Sequence, residues 1–358
     1  MNEIKKKLIR NMLIIVGIFV LVAIILLIAQ GCSNKKMSYS KIEEKLVSAS
    51  KKYLKKVDLL PKIESGISVV GSEVLISNGY LKSFEKMTDS KNCLGKVYVQ
   101  KNGEYYDYIP YLKCDDYETN TLFKAITSNV VKEDDGVYYQ NNEYVYRGKK
   151  VNNYIKFSDR LWRIIKITED GYLKLISVDS EKRSLIWDNK YNVDVNKYNG
   201  INDFEKSEIK DSLLAIYNNK DVIKENAKNK LVARNLCIGK RNMKNYSFEN
   251  VECSEKTKEK YFIDLPTTID LSSASIDKNC KDLKNKACTN FNYFYDFFDE
   301  GWSLIGVKED TSSVYLAHVA GLYDELARTK QKINLVIYLN ANVVLKSGNG
   351  TEKNPYKI

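Results

Sequence analysis

Residues 12 to 29, MLIIVGIFVLVAIILLIA, form a run of 18 apolar residues with no charge among them. A run of that length matches the hydrocarbon thickness of a bilayer crossed as a helix and is longer than the apolar stretch of an ordinary cleaved signal. Lys5, Lys6, Lys7 and Arg10 precede it. The positive-inside bias then puts residues 1–11 in the cytoplasm and everything after about residue 33 outside. The body of the chain is therefore expected to fold outside the cell membrane, held there by a single N-terminal anchor.

That compartment decides how the cysteines are read. Cys32, Cys93, Cys114, Cys237, Cys253, Cys280 and Cys288 are the seven in the chain, and outside the membrane thiols persist as disulfides. The six downstream cysteines fall into three local couples: Cys93 with Cys114, Cys237 with Cys253, and Cys280 with Cys288. The first couple flanks LGKVYVQKNGEYYDYIPYLK, two Tyr- and Val-rich runs around Asn102-Gly103, a strong hairpin signal. If Lys101 faces Glu104, the register sets Cys93 opposite Leu112, and a bulge near Gly95 or Pro110 is needed to bring the sulfurs together.

Cys32 is left over. In IAQGC it sits where a lipid is attached at the end of a signal segment, with Gly31 before it and Ala29 in place of the usual leucine; it also fits as the last residue of an uncleaved span. Both readings stand, and both tether the same face of the membrane. No cysteine couple has the C-x-x-C spacing and His318 is the only histidine, so neither a metal nor a cofactor is expected.

The formal charge is +11, of which residues 1–36 supply +5 and the remainder only +6. Charges of both signs are scattered through a Lys- and Asn-rich body, which is not the clustered basic face of a nucleic-acid binder.

Four segments follow from the texture of the chain: an anchor or lipoprotein signal at 1–36, a first domain at 37–120, a linker at 121–143 and a second domain at 144–358. In the first domain SKIEEKLVSASKKYLKK carries a capping box, Ser40 with Glu43, and sets Ile42, Leu46, Ala49 and Tyr53 on one helical face. The helix is followed by a small antiparallel sheet. From Tyr144 come short strands, YVYRG, NYIKF, LWRIIKI and YLKLISV, then a helix in FEKSEIKDSLLAIYNN, then strands again in WSLIG, SSVYLAHV and INLVIYLN. Helices set between antiparallel strands make the fold class α+β.

With these motifs laid out, the chain resembles a group of exported proteins of low-GC Gram-positive bacteria and their wall-less relatives. The first half is similar to their Y-S-x-I-E-x-K-x-V-x-A-x-K-x-Y, GYLK and C-x-G-x-V-x-V … Y-x-P-Y-L-x-C motifs, matched by Tyr39 to Tyr53, Gly79 to Lys82, and Cys93 to Cys114. That half in turn resembles type IV pilin and pseudopilin domains, although no Gly-Phe-Thr-Leu-Ile-Glu signature precedes the apolar run. The second half matches the group's opening at Tyr144 to Gly148, Asn152 to Phe157 and Leu161 to Ile165, and its G-x-G-T-x-x-NPY ending at Gly348 to Tyr356. It resembles C-type-lectin-like modules, whose fold includes the formylglycine-generating enzymes. The calcium-and-sugar motifs of true C-type lectins are absent: WDN at 187–189 only shuffles one of them.

The resemblance implies a membrane-anchored surface protein with a pilin-like base and a lectin-like head, binding or structural in its work. An extracellular enzyme acting on wall or host glycans is the competing class, and a pseudopilin-like part of a surface assembly is a further one. No G-x-S-x-G, H-E-x-x-H or G-x-x-x-x-G-K is present, and His318 lies in an alternating strand. NFNYFYDFFDEGW at 290–302 is the richest aromatic stretch. Read as a helix it packs Phe291, Phe294, Phe298 and Trp302 into the core; read as a platform it offers Phe291, Tyr293, Tyr295 and Trp302 to a glycan or cell-wall polymer. A concave cluster of carboxylates would mark an enzyme, and an exposed aromatic shelf a binder.

Overall fold

A computed structural model describes residues 12, 16–18, 20–22, 36–63, 66–194, 198–242, 247–298, 300–318 and 320–358. Most of the 12–29 run and Cys32 lie outside them; residues 12, 16–18 and 20–22 are helical. No helix among the described residues is long and apolar enough to cross a membrane. The chain is α+β, with several antiparallel sheets, and divides into two compact units. The first comprises residues 1–57, 70–97 and 110–118, and the second residues 58–69, 98–109 and 119–358.

Helix α1 (Tyr39–Lys56) dominates the first unit and buries Ile42, Leu46, Ala49 and Leu54. Tyr53, expected on the same face, is half-buried and meets Tyr80 edge-on at 5.6 Å. The expected capping box does not form: Ser38 is the N-cap, without a side-chain bond. Glu43 is buried instead and accepts from the Tyr117 hydroxyl at 2.9 Å, while Tyr117 stacks on Tyr39 at 4.1 Å. A tertiary partner has thus taken the carboxylate from the local cap. Val70, Leu75, Val97 and Leu112 complete this core, contributed by β1 (Ile67–Gly71), α2 (Ser72–Ser77) and the hairpin of β2 (Leu94–Asn102) and β3 (Tyr105–Lys113), together with Phe84 and Met87 from the 3-10 turn between α2 and the hairpin.

The hairpin turn lies one residue later than expected. Gly103 and Glu104 form it, with Gly103 at φ +63°, a conformation open to glycine. Asn102 stays in the strand, wholly buried, its Nδ2 donating to the Asn229 carbonyl at 3.3 Å. Both strands are nine residues long, so Cys93 and Cys114 fall at matching positions outward from the turn. They are bonded, and no bulge is required. The other two couples, Cys237–Cys253 and Cys280–Cys288, are bonded as the spacing predicts.

The second unit is built on a sheet in which β14 (Val336–Asn340), β8 (Tyr172–Ser177), β7 (Arg160–Ile167), β5 (Glu143–Arg147) and β4 (Gly136–Gln140) follow one another. β6 (Tyr154–Phe157) also pairs with β7, and β15 (Tyr356–Lys357) runs parallel to β6. The opening and ending motifs of the second half therefore meet in space. At their junction Tyr154 N donates to Gly350 O at 2.8 Å, and a Cβ on Gly350 would stand 2.3 Å from the Asn152 carbonyl. A second sheet contains β10 (Glu300–Gly306), β11 (Ser313–His318) and β12 (Gly321–Leu326), and β9 (Leu185–Ile186) pairs with β13 (Lys330–Gln331). Trp162, Trp187 and Trp302 are wholly buried in the core, and each indole N–H donates to a carbonyl, of Phe157, Ser303 and Leu185 respectively.

Residues 121–143, expected as a linker, carry α3 (Leu122–Thr127) and β4, and bury Leu122, Ile126 and Val137 in the same core. Their polar stretches, KEDDG and QNNE, are turns around those elements. Helix α4 (Glu208–Asn218) starts at the Ser207 cap and buries Ile209 and Leu213, matching the predicted helix. The last helix, α5 (Thr268–Ser273), opens with a capping box between Thr267 and Asp270.

Candidate functional site

Strand pairing in the second unit sets Tyr338 of β14 opposite Lys174 of β8, and Lys174 opposite Lys166 of β7. Two lysines facing each other across strands repel, so each needs a compensating carboxylate. Lys166 Nζ reaches Glu143 Oε2 on β5 at 2.8 Å, and Lys174 Nζ reaches Asp270 Oδ2 at the start of α5 at 2.5 Å. The same Asp270 oxygen accepts from Thr267 N at 2.9 Å and Thr267 Oγ1 at 3.0 Å. One carboxylate therefore caps a helix and neutralises a buried lysine.

Asp264 completes this floor. Its backbone bridges Val336 at the start of β14, its Oδ1 accepts from Leu265 N at 2.7 Å, and its Oδ2 accepts from the Tyr338 hydroxyl at 3.1 Å. Burial pushes its carboxyl up to about 6, against the opposing pull of Lys174. Burial would also raise Asp270, but Lys174 and Lys166 outweigh it and hold that carboxyl below its ordinary value. For Lys174 burial works to lower the amine, and Asp270, with Tyr338 and Asp264 behind it, reverses this and holds it well above normal. Two neighbouring carboxyls are thus pushed in opposite directions by their surroundings.

Above this floor is a cleft of about 370 Å³. Arg234 stands at its side, ion-paired with Asp170 at 2.5 Å and lying over the Tyr172 ring at 4.7 Å. Lys256, Asn235 and Asn250 extend the polar lining, and the Cys237–Cys253 disulfide forms part of the wall. A second hollow of about 470 Å³ shares Glu143, Lys166, Glu169, Asn250, Ile269 and Asp270 with the first and continues toward Arg147 and Phe248. The cations of the floor and side are each matched within the cleft: Lys174 by Asp270, Lys166 by Glu143, and Arg234 by Asp170. Among the described residues no three His, Cys, Asp or Glu side chains are arranged to hold a metal ion.

The aromatic stretch at 290–302 is neither the expected helix nor an exposed shelf. A short 3-10 turn at Tyr293–Asp296 leads toward β10, and Tyr293 and Trp302 are wholly buried. Tyr293 packs against the Arg163 guanidinium at 4.5 Å, opposite Tyr154 at 4.3 Å. Tyr295 is mostly buried, and only Phe291 stands exposed. Core packing has claimed these rings, since aromatics gain most from burial. His318, half-buried at the end of β11, accepts from Ala320 N at 3.2 Å and does not line the cleft.

Of the cleft residues, only Cys237 and Cys253 were singled out by sequence reasoning, as a disulfide couple and not as part of a site. Two signals were there: Lys174 interrupts the apolar strand YLKLIS, and Asp264 and Asp270 interrupt the apolar IDLPTTIDL, where Thr267-x-x-Asp270 is a capping-box pattern. No protein-family model, no curated protein and no solved structure matches this chain.

Proposed function

We propose that the chain is a membrane-tethered extracytoplasmic protein whose second unit binds a neutral, polyhydroxylated polymer, a glycan, in the cleft above Lys174, Asp264 and Asp270. The observation that carries this reading is internal charge compensation. With Lys174, Lys166 and Arg234 each paired inside the cleft, and Lys256 set against Glu169 and Asp264 on the same lining, little net charge is left for a charged ligand, while a dense array of fixed donors and acceptors faces the space. Such an array suits hydroxyl groups, which both give and accept hydrogen bonds. Two contiguous hollows suit more than one repeating unit.

The tether is part of the proposal. The 18-residue apolar run and the four basic residues before it support a single anchor. Metabolic labelling with a fatty-acid analogue in wild type and Cys32→Ser separates an uncleaved span from a lipid on Cys32. The pilin-like base and lectin-like head also remain proposals, supported by the motif resemblance.

The opposed shifts of Asp264 and Asp270 favour a second reading, glycoside hydrolysis, in which Asp264 serves as the proton donor and Asp270 stays ionised. One experiment tests both. Full-length protein is incubated with neutral wall glycans and host mucin glycans, and both retained ligand and shortened products are measured. Retention without products, weakened by Arg234→Ala, is expected for the binder. Product release abolished by Asp264→Asn makes the protein an enzyme, and neither retention nor products removes both readings.

A further inference from the structure

A separate recess of about 320 Å³ in the second unit has the opposite electrostatic character. It is lined by Lys156, Lys224, Lys230 and Lys357, against Asp159. We propose that this recess binds the phosphate groups of a soluble phosphodiester-linked polymer, independently of the neutral cleft.

Three observations carry the assignment. Lys156 on β6 and Lys357 on β15 are register partners on paired strands, an arrangement of like charges that destabilises a sheet unless an anion lies between them. Among the described residues, Lys156, Lys230 and Lys357 make no ion pair; every cleft-floor lysine does. The fourth lysine is held in place: Lys224 is ion-paired with Asp159, and its backbone N–H donates to Ser158 Oγ at 2.7 Å. Ser158 and Asp159 both occupy the left-handed region, at φ +53° and +58°, so the turn between β6 and β7 brings its side chains to the recess in a set geometry.

Lysine ammonium groups around a hollow act as point charges, which suits a tetrahedral anion better than a planar carboxylate that an arginine fork would grip. A recess also fits one phosphate group at a time, whereas an anionic membrane is met by a broad basic face. Because the lysines are solvent-accessible, single contacts are screened by salt, and useful affinity comes from repetition along a polymer.

The test uses full-length protein in detergent micelles and three probes: a fluorescent poly(glycerol phosphate) oligomer, inorganic phosphate, and vesicles containing phosphatidylglycerol. The oligomer should bind, more weakly as salt rises, and inorganic phosphate should displace it. Lys156→Gln with Lys230→Gln should weaken oligomer binding about tenfold and leave the melting temperature unchanged or raised, because repulsion is relieved. If that double variant fails to fold, Lys357→Gln alone must still lower the affinity. Unchanged oligomer affinity in a folded variant, failure of displacement by phosphate, or capture by vesicles alone would each overturn the proposal.

Discussion

Lys174 Nζ lies 2.5 Å from Asp270 Oδ2, with both side chains almost wholly removed from water. Taking two charges out of water is unfavourable, and the pair survives only because the Thr267 cap satisfies the same carboxylate oxygen. Removing one partner strands the other. Lys174→Met and Asp270→Asn are each expected to lower stability in urea by about 3–5 kcal/mol, whereas Lys174→Met combined with Asp270→Leu should regain most of the loss. An additive double variant would show that the pairing does not matter.

Asp264 gives the fold a pH dependence of defined sign. Its carboxyl is raised from 3.8 to about 6 in the folded state, by burial first. Between those values the native state holds a proton that the unfolded chain has lost. Its contribution is therefore full below the unfolded value and is lost as pH rises through about 6, by about 3 kcal/mol in all. Asp270 works the other way, losing its contribution as pH falls below the ordinary carboxylate range. The difference in unfolding free energy between wild type and Asp264→Asn, measured by urea denaturation from pH 4 to pH 7, isolates the first effect. Wild type should lose stability relative to the variant as pH rises, and a constant difference contradicts the assignment.

The Cys237–Cys253 bridge closes a stretch of sequence separation 16 and helps to wall the cleft. Replacing both cysteines with serine should destabilise the protein by about 3 kcal/mol and weaken glycan retention as well. Replacing Cys280 and Cys288, whose separation is 8, should give a smaller loss. Thermal melts read the first effect and glycan retention the second. Retention unaffected by loss of the 237–253 bridge would remove this wall from the site.

What could be read from the residues was what depends on near neighbours. Cysteine couples separated by 21, 16 and 8 positions paired as their spacing implied, and the alternating runs became β5 to β8, β10, β11 and β14. The hairpin turn slipped by one residue because Asn102, a good turn former, is held in the strand by a bond to Asn229, more than a hundred positions away. The aromatic stretch misled for the same reason: its spacing suited a helix, but Tyr293 is drawn onto Arg163, 130 positions earlier. The cleft was illegible because Lys174, Asp264, Asp270 and Tyr338 come from three separate segments, brought together by strand register for Lys174 and Tyr338, by a bridge to Val336 for Asp264 and by the capped start of α5 for Asp270.

Hydrogen–deuterium exchange of the full-length protein with and without a neutral glycan oligomer locates the ligand most directly. The account predicts added protection in β7, β8, the segment around Arg234 to Cys237 and the segment from Asp264 to Asp270, with little change at Phe291 or around the recess at Lys156 and Lys357. Saturating glycan that leaves those cleft segments unprotected, or that protects only residues elsewhere, would contradict it.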